Sequence, residues 1–213
     1  MTMRGIDLVA RFRRHGQRRE GERLSLLEHA LQCAALARRA RSDDEVVIAA
    51  LLHDVGRLLG EGTMPTDDTW GRHHGTAGAA LVRPFVSARI AWLIEHHVVA
   101  KRYLCTVDAR YAADLSARSP ATPAVAVPRL SLDEQVALET HPWFANAVAL
   151  RRWDDGARVP GAPSPPLEDY RPLLERLFGP QTWSGAAGIG ALGLSRRRRP
   201  LHPSLSAPRV APS

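Results

Sequence analysis

From position 46 to position 59 the chain is almost wholly apolar, and the run is broken at its centre by the pair His53 and Asp54. A helix that is apolar on every side needs packing partners on every side. The rest of the chain must therefore supply elements that surround this one. Burying an unpartnered charge in such a segment costs several kcal/mol or forces the group to neutralise. A metal ion removes that difficulty, so His53 and Asp54 are candidate ligands.

The flanking sequence supplies helices to surround it. Over 24–40 the apolar residues Leu24, Leu27, Leu31, Ala34 and Ala35 recur with a period close to that of an amphipathic helix, started by Ser25 or Gly21 and carrying His29. Ser42 is the expected N-cap of the central helix over 46–59, with Asp43, Asp44 and Glu45 in its acidic first turn. A loop is expected over 60–71, then a short Ala/Gly helix over 74–82 that begins at His74 and can pack closely. Ile90, Leu93, Ile94 and His97 continue the helical period over 87–100, and 103–119 is of mixed composition. After a loop over 120–129, Ser131 starts a helix that breaks at His141 and Pro142; a last core helix over 143–155 carries Asp154, with Gly156 as its C-cap. A short helix is expected over 170–178. There is no internal repeat and little strand signal, so the fold class is all-α.

With 213 residues, 45% of them hydrophobic, the chain can bury one sizeable core. Residues 1–180 are expected to form the metal-binding catalytic domain, and 181–213 a low-complexity basic tail. No long apolar run or signal-peptide pattern is present, so a soluble, cytoplasmic monomer without a membrane partner is expected. Cys33 and Cys105 read as reduced core thiols. The net charge of +7 owes much to Arg11, Arg13, Arg14, Arg18 and Arg19 and to the run Arg196 to Arg199. These stretches lack interleaved aromatics and stand outside the histidine-bearing segments, which disfavours a nucleic-acid partner.

Taken together, His29, His53, Asp54, His74, His97 and Asp154 offer enough nitrogen and oxygen ligands for two adjacent ions. Neighbours in a helix diverge by about 100°, so Asp54 can reach a second ion while His53 holds the first. Carboxylates bridge ions about 3.5–4 Å apart in two-metal sites. Without cysteine ligands, iron, manganese or zinc is favoured over copper(I) or an iron–sulfur cluster. Lys101, the chain's only lysine, stands one helical turn after His97 on the same face, where a compact ammonium can meet an anion at the metals. His15, His141 and His202 read as structural or exposed.

The order His29, His53, Asp54, His74, His97, Asp154 resembles the HD-domain superfamily, whose members carry metal ligands on a bundle of about five core helices with peripheral helices added. The stretches around Gly21, Glu22 and His29, around His97, Lys101 and Arg102, and from Leu150 through Arg151 to Asp155 resemble a narrower branch, the organophosphonate-degrading oxygenases. The resemblance implies two iron ions in a mixed-valent Fe(II)/Fe(III) pair, with dioxygen as co-substrate. It also implies cleavage of the carbon–phosphorus bond of a 1-hydroxyphosphonate, such as 2-amino-1-hydroxyethylphosphonate, to release phosphate.

Carried over by motif, His29, His53, Asp54 and Asp154 would hold one iron and His74 and His97 the other, with Asp54 bridging and His53, Asp54 and Lys101 at the chemistry. Lys101, Ser119 and Arg151 would bind the phosphonate and Glu22 would face an amino group. The pattern fixes His74 by its spacing to Gly78 and Ala79, and His97 by its spacing to Lys101, over their neighbours His73 and His96. Arg57 stands where the family often has histidine, Arg19 near its usual tyrosine, Gly75 at a usually acidic position, and Ala126, Val127 and Pro128 where Gln-Gly-Gly is expected. These departures leave the exact substrate open, and Arg57 would keep positive charge for an anionic group. Two other readings stand beside the oxygenase: a metal-dependent phosphohydrolase on the same ligands, which needs no dioxygen, and a non-catalytic fold that binds an anion or nucleic acid.

Overall fold

The structure, a computed structural model, describes residues 5–17, 24–59, 70–118 and 127–178, all within one unit, Met1–Gln181. Glu22, Ser119, Arg19, Ala126 and the tail after 178 lie outside the described residues. Helices α1 (Gly5–His15), α2 (Leu26–Arg39), α3 (Asp44–Leu52), α4 (Trp70–Val82), α5 (Ala88–Val107), α6 (Ala109–Arg118), α7 (Leu132–Glu139), α8 (Phe144–Gly156) and α9 (Arg171–Leu177) follow one another without a strand among the described residues. No helix among them is long and apolar enough to cross a membrane.

Side-chain caps set several helix starts. Ser25 accepts the N–H of Glu28 at 3.2 Å while Glu28 accepts the N–H of Ser25 at 2.7 Å, a reciprocal capping box that starts α2. Ser131 and Glu134 build the same box for α7. Ser87 caps α5 through Ile90. For α3 the cap is Asp43, which accepts from Val46, and not Ser42 as the sequence led us to expect.

Val46 to Leu52 are all buried, so α3 is the central helix. It packs against α2, α5, α8 and α9, and α4 leans on α5. Phe12, Leu27, Leu93, Ile94, Leu150, Tyr170 and Leu174 complete the core around it.

The structure differs from the sequence reading in backbone detail. The α-helix expected through 59 ends at Leu52, and the chain continues through His53 and Asp54 into a 3-10 helix, Val55–Leu59. Val55 and Leu58 stay buried in the tighter turn, so their apolar spacing could not distinguish the two helix types. Helix α4 begins at Trp70, inside the expected loop, and α5 runs on to Val107. The uncertain stretch after it is α6. Gly156 is the last residue of α8 and Ala157 its cap, and 3-10 helix Leu167–Tyr170 precedes α9.

The close packing expected of the Ala/Gly helix is realised at Gly56 and Gly78. A Cβ on Gly56 would lie 2.1 Å from the carbonyl oxygen of His74 and 2.8 Å from the amide of Gly78. Gly56→Ala must push the 3-10 helix and α4 apart, an overpacking cost of about 1–3 kcal/mol. A fall in melting temperature of about 2–4 °C per kcal/mol is expected, together with weakened metal retention, because the displaced residue is His74. A melting curve unchanged from wild type would contradict this packing.

Candidate metal centre

Five elements converge behind α3. His29 comes from α2, His53 and Asp54 from the junction after α3, His74 from α4, His97 from α5 and Asp154 from α8. All six are at most 6% exposed. Their ligand atoms fall into two groups, His29 with His53 and Asp154, and Asp54 with His74 and His97, each within 4.8 Å.

In the first group His29 Nε2 lies 3.1 Å from Asp154 Oδ1 and 3.2 Å from His53 Nε2. In the second His74 Nε2 lies 2.9 Å from His97 Nε2 and 3.0 Å from Asp54 Oδ1. Asp54 joins them: its Oδ1 faces the second group, while its Oδ2 lies 3.6 Å from His53 Nε2 and 3.8 Å from His29 Nε2. The break after Leu52 thus sets two adjacent side chains where one joins the first group and the other spans both.

The imidazoles are oriented from behind. Nδ1 of His29 faces the carbonyl of Ala157 at 2.8 Å, that of His53 the carbonyl of Ala50 at 2.8 Å, and that of His97 the carbonyl of Ile94 at 2.6 Å. A carbonyl can only accept, so each Nδ1 carries the proton and each Nε2 turns its lone pair inward. Ligand atoms about 3 Å apart match the edges of a coordination polyhedron with bonds of about 2.0–2.2 Å. Four imidazole nitrogens, three of them oriented in this way, and two carboxylates, with no thiolate in either group, fit two ions that favour nitrogen and oxygen.

Burial opposes charge on His53, but Asp54, Cys33 and Asp154 outweigh it and raise its pKa well above the ordinary histidine value, so an ion at its Nε2 would displace a proton. Burial opposes charge on Asp54, but Arg57, His53 and His74 outweigh it and hold the carboxyl well below the usual range. Asp154 is held low in the same way, burial being overcome chiefly by Arg151 and His53. Burial, reinforced by His74 and His53, keeps His97 well below the ordinary histidine value and therefore neutral.

Around the ligands, Lys101 is half-buried on α5, and burial followed by the nearby Arg151 lowers its pKa. Arg57 sits with Nε 3.1 Å from Asp54 Oδ2, paired to a ligand carboxylate. Arg151 is buried and donates from Nη1 to Asp154 Oδ2 at 2.6 Å. The sequence reading did not single out Tyr111, Asp155 or Arg158 for a role. Tyr111 Oη donates to Asp155 at 2.6 Å, and Arg158 lies 3.3 Å from Asp154 Oδ1. Asp155 and Arg158 left a signal in their i+4 spacing, from Arg151 and from Asp154 respectively, whereas Tyr111 left none. His73 is exposed, and His96 and His141 stack on Trp92 at centroid distances of 4.0 and 3.9 Å, outside both groups.

A helical bundle with two buried His/Asp groups in this order, each able to hold a metal ion, is the arrangement of an HD-domain metalloenzyme. The HD-domain family model matches residues 26–123. The chain is 39% identical over 165 residues to hydroxymethylphosphonate dioxygenase of Gimesia maris, covering 76% of this chain and 81% of that protein. It is 30% identical over 158 residues to the glycine-betaine-forming [1-hydroxy-2-(trimethylamino)ethyl]phosphonate dioxygenase of Leisingera caerulea, covering 74% and 81%. An uncharacterized protein of Acanthamoeba polyphaga mimivirus is 31% identical over 157 residues, covering 72% of each chain. The chain belongs to the HD-domain family, in the oxygenase branch that holds these two dioxygenases.

Proposed function

We propose that this enzyme uses dioxygen to cleave the carbon–phosphorus bond of a 1-hydroxyphosphonate, with two iron ions, one Fe(II) and one Fe(III), held by His29, His53, Asp54, His74, His97 and Asp154. The observation that carries the reading is Asp54, with one carboxylate oxygen toward each histidine group, beside the cations Lys101 and Arg151. The names of the two dioxygenases support the phosphonate class. The reaction balances as 1-hydroxyphosphonate plus dioxygen giving a carboxylic acid plus phosphate.

The iron pair, when bound, supplies electrons for dioxygen and coordination sites for substrate oxygens. The protein's own groups do the rest. Lys101 and Arg151 place two positive charges at one side of the ligands, an arrangement that a phosphonate carrying up to two negative charges neutralises. Arg151 keeps one N–H on each terminal nitrogen beyond its contacts with Asp154 and Asp155, and those can donate to phosphonate oxygens. The carbonyls of Ala157, Ala50 and Ile94 hold the imidazoles of His29, His53 and His97 in one tautomer and orientation. By the family pattern Ser119 would help bind the phosphonate and Glu22 would face a substrate amino group. Arg57 is committed to Asp54 and shapes the ligand field more than the substrate contact.

The test is phosphate release from hydroxymethylphosphonate by iron-loaded enzyme, with and without dioxygen, beside metal analysis and electron paramagnetic resonance. We expect about two irons per chain, a coupled Fe(II)/Fe(III) signal that shifts with substrate, and phosphate only when oxygen is present. Anaerobic phosphate release from a phosphate ester with manganese would replace this reading with a phosphohydrolase.

A further inference from the structure

Behind Asp154 lies a buried triangle of polar side chains that belongs to no ligand group. Arg151 Nε donates to Asp155 Oδ2 at 3.1 Å, its Nη2 donates to Asp155 Oδ1, and its Nε also reaches Tyr111 Oη at 3.1 Å. Tyr111 Oη in turn donates to Asp155 Oδ2 at 2.6 Å. Tyr111 and Arg151 are each 6% exposed. Burial pushes the Tyr111 hydroxyl far above its ordinary pKa, so it keeps its proton and stays a donor to Asp155.

The triangle meets the candidate ligands through Arg151 Nη1, which donates to Asp154 Oδ2 at 2.6 Å. The other oxygen of Asp154 faces His29 Nε2 at 3.1 Å. We infer that Tyr111 and Asp155 are positioning residues for the first ion: they pin Arg151 so that it fixes the angle of Asp154 and shares its charge between two carboxylates.

Both parts follow from elementary physics. A free arginine side chain carries about 2 kcal/mol of rotamer entropy, and a swing of the guanidinium would carry Asp154 off the ligand geometry. Unshared, the guanidinium's full charge would draw electron density from Asp154 and weaken it as a ligand. Shared with Asp155, it leaves Asp154 the stronger donor. The contact of the triangle with Asp154, a member of the first group, directs the effect to that ion.

The inference rests on the two-ion reading, and its test is independent of turnover. Full-length protein is loaded with Mn(II) as probe, and release to excess chelator is followed for wild type, Tyr111→Phe and Asp155→Asn. A His74→Ala chain, disabled in the second group, identifies which phase belongs to the ion at Asp154. Tyr111→Phe keeps the ring packed among Leu104, Cys105, Leu115 and Val127, so its fold is retained. In both variants the Asp154 phase is expected to accelerate about 10- to 100-fold, the usual effect of losing an outer partner of a ligand, while the other phase keeps its wild-type rate. Equal rates for both ions in variant and wild type, or parallel acceleration of both phases, would overturn the inference. A wild-type chain that holds two ions but frees no phosphate from hydroxyphosphonates would overturn the proposed reaction and leave this result standing.

Discussion

Asp54→Ala is expected to reduce both metal content and activity more than any other single substitution. Each of its carboxylate oxygens faces a different histidine group, so both groups lose their shared anion at once. The deletion also removes the carboxylate that lies 3.1 Å from Arg57 Nε. Activity is expected to fall by more than the roughly 100-fold that marks the loss of an outer-shell partner, and metal analysis should find neither ion at full occupancy. Asp54→Asn keeps the volume and one oxygen acceptor but not the charge, and is expected to retain at most one ion. If either variant kept both ions and wild-type turnover, Asp54 could not be the bridge.

Arg151→Ala is expected to have the largest effect on the stability of the metal-free fold. Asp154 is 3% exposed and Arg151 6% exposed, and removing the guanidinium leaves Asp154 with Arg158 and His29, and Asp155 with the Tyr111 hydroxyl, of the partners described above. Breaking a buried pair in this way costs about 3–5 kcal/mol, which for a domain of this size lowers the melting temperature by on the order of 10 °C. An ion at the first group satisfies Asp154, so the metal-loaded variant should recover part of the loss. Arg151→Lys restores charge without the two-pronged contact to Asp155 and should fall between. A metal-free Arg151→Ala protein that melts within about 2 °C of wild type would show that the network contributes little.

Much of this architecture could be read from residue order, for reasons specific to each element. The central helix announced itself because seven consecutive apolar residues are incompatible with a surface position. Burial of His29, His53, Asp54 and His97 followed from the apolar pattern of their segments, whereas the choice of His74 over His73 and of His97 over His96, and the place of Asp154, came from the family's motif spacing and order. The break at His53 was not legible: Val55 and Leu58 face the core from a 3-10 helix just as they would from an α-helix. The pairing of Arg57 with Asp54 was missed because a residue one turn from a presumed ligand can point to substrate or to the ligand itself. The partnership of Tyr111 with Asp155 spans 44 positions and leaves no periodic trace in either segment. Glu22 and Ser119, placed by resemblance alone, lie outside the described residues.

The locks on the three imidazoles are unequal in reach. His53 and His97 each use a carbonyl three residues back, within their own turn, whereas His29 uses Ala157, 128 positions away. An ion shared by His29 and Asp154 therefore closes a ring of more than a hundred residues, a topological constraint of the kind that a disulfide imposes. By the loop-entropy argument such a closure removes about 4–5 kcal/mol of freedom from the unfolded chain. Metal loading should thus do more than equip a catalyst: it fastens the beginning of the bundle to its end, and amide exchange in α2 and α8 should slow together when the ions bind.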